Sequence, residues 1–304
     1  MTDVLIVGAG PVGLDLANRL LLEGRTVAVL DARAHIGQHS RSIGIHAPSL
    51  EILAETDVAD ALIKAGLKVQ QGVAYLGNQA VGRLGLDAGP PPFRFVLTIP
   101  QYRTEEILEE RTQSLAPGTV HRGLRVELLR QDELGVTAVT TGGTHWRARF
   151  AVGCDGQNST VREALGIQFP GEAYADTFAM GDFRDDSGLG LQAAVFLTKG
   201  GLVESFPLPG DVRRWVVRLV GAMPDPSASD VARIVSERTG LAPNPETSTM
   251  ASGFQVFRYL ASSMHSGRVL LAGDAGHVVS PIGGQGMNVG WLDGRDAAGV
   301  LAAA

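Results

Sequence analysis

The sequence predicts an α/β protein. A Rossmann-like dinucleotide-binding domain, built on a parallel sheet plus a β-meander, carries an inserted, mainly antiparallel β-sheet domain. Three observations predict this. A strand, glycine turn, helix and second strand occupy residues 3–31. Three short strands with tight turns run through 122–152. A further series of alternating segments over 178–260 returns the chain to a glycine-rich stretch at 268–288.

The bounds agree with that class. A chain of 304 residues, 44% hydrophobic, can bury a sizeable core in two units. A net charge of −6 without any Lys or Arg run argues against a nucleic-acid groove or an anionic membrane as main partner. One cysteine, Cys154, excludes an internal disulfide and points to a reducing compartment, so a cytoplasmic location is expected. Neither a signal peptide nor an apolar run of about 18 residues is present, so no transmembrane helix is expected.

At the N-terminus, Asp3 to Gly8 reads as a buried strand. Gly8-Ala9-Gly10-Pro11-Val12-Gly13 follows, then Leu14, Leu16, Ala17, Leu20 and Leu21 at helical spacing, then a strand from Arg25 to Leu30 ending at Asp31. This is GxGxxG in its full context, and it predicts a dinucleotide site. Gly8 makes the tight turn, Gly10 lets a pyrophosphate approach, Gly13 lets helix and strand pack, and Asp31 accepts ribose hydroxyls. Pro11 suits a first helical turn. The unit does not choose between FAD and NAD(P).

Residues 39–44 form a polar loop in which spacing alone favours a surface role for Arg41. A helix is predicted over Pro48 to Ala65. Strands at 67–99 lead to a helix from Thr104, as N-cap, to Leu115. The meander strands, 122–129, 136–140 and 146–152, end in Cys154-Asp155-Gly156. Asp155 stands where strand becomes helix, with Ser159 or Asn158 as N-cap, placed to bind ribose or to orient Arg162. Cys154 lacks a histidine partner and reads as a packing residue. Strands at 178–183, 192–198, 202–207 and 214–220, a helix at 229–239 and a strand at 253–260 make the antiparallel layer.

The stretch Arg268 to Asn288 reads as a strand, a Gly273-Asp274 turn, and a glycine-rich entry into a helix. By itself it is either a flexible connection or the seat of an electron-rich ring facing a helix N-terminus.

Taken together, the chain resembles the para-hydroxybenzoate hydroxylase family of FAD-dependent class A aromatic monooxygenases. Three motifs match in order: Gly8-x-Gly10-x-x-Gly13 with Asp31; Cys154-Asp155-Gly156-x-x-Ser159-x-x-Arg162; and Gly273-Asp274-Ala275-Gly276-His277 with Pro281-x-x-Gly284-Gln285-Gly286-x-Asn288. The resemblance implies FAD as cofactor, NADPH or NADH as co-substrate, and transfer of one oxygen from O2 to a phenolic or polyketide-like ring through C4a-hydroperoxyflavin. It implies cofactor contacts at Gly8, Gly10, Pro11, Val12, Gly13, Asp31, Ala32, Arg33, Arg41, Gln101, Asp155, Gly156, Gly273, Asp274, Pro281, Gly284, Gly286, Met287 and Asn288. Pro281, Gly286, Met287 and Asn288 would surround the flavin ring. The implied division is 1–70, 98–170 and 265–304 for FAD, with 71–97 and 171–264 for substrate.

The expected partners are an aromatic small molecule and O2, with a homodimer as the candidate assembly and neither nucleic acid nor membrane. The chain ends soon after the third motif, so it is either a short form or lacks further helices. Gly276 stands where alanine is common. The tryptophan motif of flavin halogenases is absent. Two rivals are a flavin-dependent reductase of the same superfamily and a non-catalytic FAD-binding protein. No active-site base is identified; His46, His277 and Tyr259 are the titratable candidates.

Overall fold

The computed structural model describes residues 1–37, 42–87, 91–221, 223, 225–281 and 283–304. The chain opens with β1 (Thr2–Val7), α1 (Pro11–Leu22) and β2 (Val27–Asp31). β2 is buried along its whole length, as a parallel strand covered on both faces must be. Pro11 stands in the first turn of α1, where its missing N–H leaves nothing unpaired.

Next come β3 (Gly44–Ile45), α2 (Ala47–Ala54), α3 (Ala59–Ala65) and β4 (Leu67–Val69). The apolar spacing predicts one helix over 48–65, but two form. Asp57 takes a left-handed φ of 60° at the break. Thr56 donates its hydroxyl to Asp15 of α1 at 3.2 Å and to Leu53 O at 3.1 Å. A contact with another helix sets this turn, which a local pattern cannot show.

β5 (Gln71–Leu76), β6 (Gln79–Gly85) and β7 (Val96–Thr98) precede α4 (Gln101–Leu115). Helix α4 starts at Gln101, with Pro100 as its N-cap residue. Thr104 is therefore not the cap. It lies fully buried inside the helix, and its hydroxyl has no partner among the described residues.

β8 (Val120–Arg122), β9 (Val126–Asp132), β10 (Gly135–Thr140), β11 (His145–Gly153) and α5 (Thr160–Ala164) follow. The strand expected at 122–129 is split by Gly123, whose φ is 74°. β8 runs parallel to β2, and only β9 joins the meander with β10 and β11. The rest comprises β12 (Gly171–Arg184), β13 (Ala193–Thr198), β14 (Gly201–Leu208), β15 (Val212–Arg218), α6 (Ala228–Thr239), β16 (Met250–Leu260), β17 (His265–Ser266), β18 (Val269–Leu271), β19 (His277–Val278) and α7 (Gln285–Ala302). Helix α6 starts on a capping box of Ser227 and Asp230 and stops at Gly240, whose φ is 75°.

The described residues form three sheets. The first has the order β17-β18-β11-β1-β2-β8, with β9 and β10 attached to β11. Its strands β18, β11, β1, β2 and β8 are parallel. The second runs β19-β16-β12-β15-β14-β13-β5-β6 and is antiparallel except between β13 and β5. The third, β3-β7-β4, is small. Helix α6 covers one face of the second sheet, packing Val231, Ile234 and Val235 on Phe196, Val203, Trp215 and Val217. Phe178, Met180, Val216, Met250 and Val256 form the apolar cluster of the opposite face, with Phe206 and Phe254 against it.

Candidate functional site: a cleft at the ends of three parallel strands

The three motifs lie side by side at the carboxyl ends of β1, β11 and β18. Cys154 N donates to Val7 O at 2.7 Å, and Ala272 N donates to Gly153 O at 2.9 Å. Ligands of open α/β sheets bind at this end of the strands.

In the first motif, Gly8 has φ +110°, and a Cβ there would strike the Cys154 carbonyl. A Cβ at Gly13 would strike the Gly8 carbonyl and stand 3.2 Å from Cys154 Cβ. Both glycines permit close packing. Gly10 differs, because a Cβ there meets no atom within 4 Å. Its backbone faces open space.

Asp31 is buried at the end of β2 and accepts the Ala9 N–H at 2.7 Å. Arg33 donates to it through its backbone N–H at 2.7 Å and its Nε at 3.1 Å. Burial alone would raise this carboxyl, but the Arg33 and Ala9 hydrogen bonds hold it below the ordinary range. Arg33 also pairs with Glu105 at 3.1 Å, and Gln101 donates to Glu105 at 2.9 Å. A polar chain therefore ties the end of β2 to the start of α4. The sequence gives no hint of this role for Glu105, which reads there as a first-turn acid. Burial pushes its carboxyl up against the pull of Arg33. Ala32 is exposed beside this chain.

The second motif corrects one expectation. Asp155 does not orient Arg162. It accepts from Ser159 Oγ at 2.5 Å and from Val161 N at 3.1 Å, bracing the start of α5. Ser159 is the N-cap, accepting Arg162 N at 2.9 Å. Arg162 instead reaches Ala275 O at 3.0 Å and Gln157 O at 2.9 Å, and lies 3.8 Å over the Phe169 ring. It fastens the third motif to the second. Gly156 takes φ +80° with open space where a Cβ would be.

In the third motif, Gly273 has φ +62° and abuts Val12, where a Cβ would stand 3.1 Å from Val12 Cγ2. Gly273 N donates to Asp293 of α7 at 2.8 Å, and the same carboxylate oxygen holds His277 Nε2 at 2.6 Å. The hydrogen bond that His277 donates to the Asp293 carboxylate raises the imidazole above the ordinary histidine range. Asp274 is exposed, yet crowding by the cleft walls pushes its carboxyl up.

Helix α7 begins after Gly284, which has φ 66°. The buried Asn288 side chain accepts from His46 N at 3.0 Å and donates to Gly44 O at 3.0 Å and Gly284 O at 2.7 Å. His46 Nε2 lies 2.8 Å from Gly283 O. Asn288 and His46 thus clamp the glycine loop to β3. The first-turn N–H groups of α7 have no partner within the helix. Cβ atoms at Gly284 and Gly286 would find their nearest neighbours only at 3.9 and 3.7 Å. Met287 is half-buried and Pro281 exposed.

Helices α1 and α7 cross closely. Trp291 Nε1 donates to Pro11 O at 3.1 Å, and a Cβ at Gly290 would come within 2.5 Å of Val12 Cγ2. The sequence carries a signal for this contact: Gly286, Gly290 and Gly294 recur every fourth residue, on one helical face. Asp293 leaves no such signal.

Arg41 lies outside the described residues. His46 and His277 have the structural partners given above, and Tyr259 stacks between Phe169 and Phe257, at 5.2 and 5.9 Å. Cys154 has its thiol pushed up by burial, with Asp155 and Asp293 nearby, which makes it a poor nucleophile. The described residues hold no cluster that could bind a metal ion.

The geometry fits a long dinucleotide. Glycine backbones line open space at both ends of one cleft, and a buried carboxylate stands at the β2 end. An FAD binding domain family model matches residues 1–304. The rifampicin monooxygenase of Streptomyces venezuelae is 34% identical, over 100% of this chain and 64% of its own length, so this chain spans under two thirds of that relative. p-Nitrophenol 4-monooxygenase PnpA from Pseudomonas putida DLL-E4 superposes with a TM-score of 0.88 at 25% identity, covering 100% of this chain and 80% of that one. Aklavinone-11 hydroxylase, solved with FAD and aklavinone, gives 0.87 at 25% identity, covering 99% and 62%. With its motifs gathered at one cleft and its whole length matched, the chain belongs to the FAD binding domain family, the flavoproteins similar to para-hydroxybenzoate hydroxylase.

Proposed function

We propose that this chain is the FAD- and substrate-binding part of a monooxygenase that hydroxylates an aromatic, phenolic or polyketide-like small molecule with NAD(P)H and O2. One observation carries the reading: three nucleotide motifs converge on a cleft, in a fold that also carries a second sheet with an apolar cluster on the face opposite α6. The names of the relatives, rifampicin monooxygenase and p-nitrophenol 4-monooxygenase among them, support the reaction class. We assign 1–70, 98–170 and 265–304 to FAD and 71–97 with 171–264 to substrate. The dependence on NAD(P)H favours a cytoplasmic site of action.

FAD, when bound, would supply the redox chemistry that links NAD(P)H to O2. The chain binds, orients and shields it. Asp31, with Arg33 and Ala32 beside it, accepts the adenosine ribose hydroxyls. The start of α1, from Gly10 to Gly13, would receive the pyrophosphate, and Gln101 would contact the phosphate and ribityl region. Asp155, Gly156, Gly273 and Asp274 line the middle of the cofactor. Pro281, Gly284, Gly286, Met287 and Asn288 surround the ring. The N-terminus of α7 would stabilise negative charge on a ring held there by about 0.3–2 kcal/mol. Asn288 acts there by holding the loop, since its amide is engaged within the chain. The antiparallel sheet keeps water from the reacting face.

The test is a visible spectrum followed by NADH and NADPH oxidation under isotopically labelled O2 with a panel of phenols. Yellow protein, phenol-stimulated oxidation and label in the product are expected. Protein that cannot take up FAD overturns the reading. Oxidation that only ever releases hydrogen peroxide overturns its monooxygenase half.

A further inference from the structure

On the face of the second sheet opposite α6, one carboxyl, that of Glu204, has no counterpart among the described residues. The ladder places Val195, Glu204, Val216, Met180 and Ser252 in one row across five strands, β13, β14, β15, β12 and β16. Paired residues of neighbouring strands project to the same face. Val216 and Met180 belong to the apolar cluster opposite α6. The next row on that face is Phe206, Arg214, Asp182 and Met250.

The other charges on this face are paired. Arg214 grips Asp182 at 2.7 Å through both its Nε and Nη2. Arg218, level with Phe178, pairs with Asp176 at 2.6 Å. Glu204 is half-buried, and among the described residues it has neither a hydrogen-bond donor nor a cation. Burial pushes its carboxyl up, with nothing opposing.

Glutamate is a poor strand residue, and a carboxyl left unpaired among Val and Met costs stability. Nothing among the described residues returns that cost. The face is also tied to the cleft. Thr98 of β7 donates to Pro207 O of β14 at 2.7 Å, and β7 pairs with β3, the strand that Asn288 clamps to α7. At the far edge of the sheet, β19 leads directly to the glycine loop.

We infer that Glu204 is the hydrogen-bond acceptor for a phenolic hydroxyl of the aromatic substrate, and so selects hydroxylated rings over their ethers. This rests on the function proposed above and names one determinant of its substrate class. The probes are phenol with anisole, and β-naphthol with its methyl ether. Each is titrated into FAD-loaded protein and followed by flavin fluorescence. Wild type binds each phenol about tenfold or more tighter than its ether, as expected for a hydrogen bond to a carboxylate. Glu204→Gln and the uncharged, similarly sized Glu204→Met bring that ratio towards one, while ether binding and the flavin spectrum stay unchanged. Glu127→Gln, on an exposed strand position, behaves as wild type.

Wild type without a preference for phenols, binding none of the four probes, or variants that keep the preference all overturn the inference. Turnover is scored separately. Loss of aromatic-stimulated O2 chemistry in wild type sinks the monooxygenase reading, whereas turnover with unchanged binding ratios sinks only the role of Glu204.

Discussion

The crossing of α1 and α7 gives the sharpest test. Gly290 and Gly299 both lie in α7. One is buried against Val12; the other is exposed, and a Cβ added there would have no atom within 4 Å. Replacing either by alanine removes the same backbone entropy and improves helix propensity by about 0.5–1 kcal/mol. Gly299→Ala should show only that gain. In Gly290→Ala the new Cβ would stand 2.5 Å from Val12 Cγ2 and 3.3 Å from Gly273 Cα. Valine is short and stiff, so the helices must part, at about 1–3 kcal/mol for overpacking. The two variants should therefore differ by about 1–3 kcal/mol, with Gly290→Ala the weaker. Paired urea melts of FAD-free and FAD-saturated protein measure this. FAD affinity should fall in Gly290→Ala alone, because Val12 and Gly273 belong to the first and third motifs and meet at this crossing. Equal shifts of the same sign in both variants would refute the close crossing.

Three further outcomes follow from the charges. His277 has a raised folded-state pKa, so its stabilisation is full below the unfolded value of 6.5 and is lost as pH rises through the folded value. Asp293→Asn should flatten that alkaline decline and lower the His277 titration seen by NMR; an unchanged titration removes Asp293 as the cause. Asp31 is depressed, so its stabilisation is present above 3.8 and lost as pH falls through the folded value. Asp31→Asn should shrink the acid-induced loss of stability and weaken FAD binding, read from acid melts and flavin release. Cys154 should resist iodoacetamide in the native protein and react after urea unfolding; rapid native labelling would contradict its raised thiol.

What the sequence reveals is what local chemistry decides. The GxGxxG turn, Pro11, the Ser159 cap and the alternating strands each carry their own signal within a few residues. The break at Asp57 does not, because it answers to Asp15 on another helix. Thr104 looks like a cap because threonine favours that place, yet Pro100 takes it and Thr104 is buried. Asp155 and Arg162 are close in sequence, whereas the fold gives them different partners. Glu105 and Asp293 serve residues far away along the chain, and only assembled geometry reveals such service.

The same crossing has a consequence for synthesis on the ribosome. Strand β1 pairs with nearby β2, but its other neighbour, β11, is completed only at Gly153. The surface of α1 that meets Gly290 and Trp291 stays bare until α7 emerges, after residue 285. A nascent chain therefore carries an open strand edge until β11 is made and an apolar helix face until α7 is made. Such surfaces are what holding chaperones grip, and such long-range pairings fold slowly. Flavin can be captured at both ends only after nearly all of these residues have left the exit tunnel, which places cofactor loading after α7 has docked on α1.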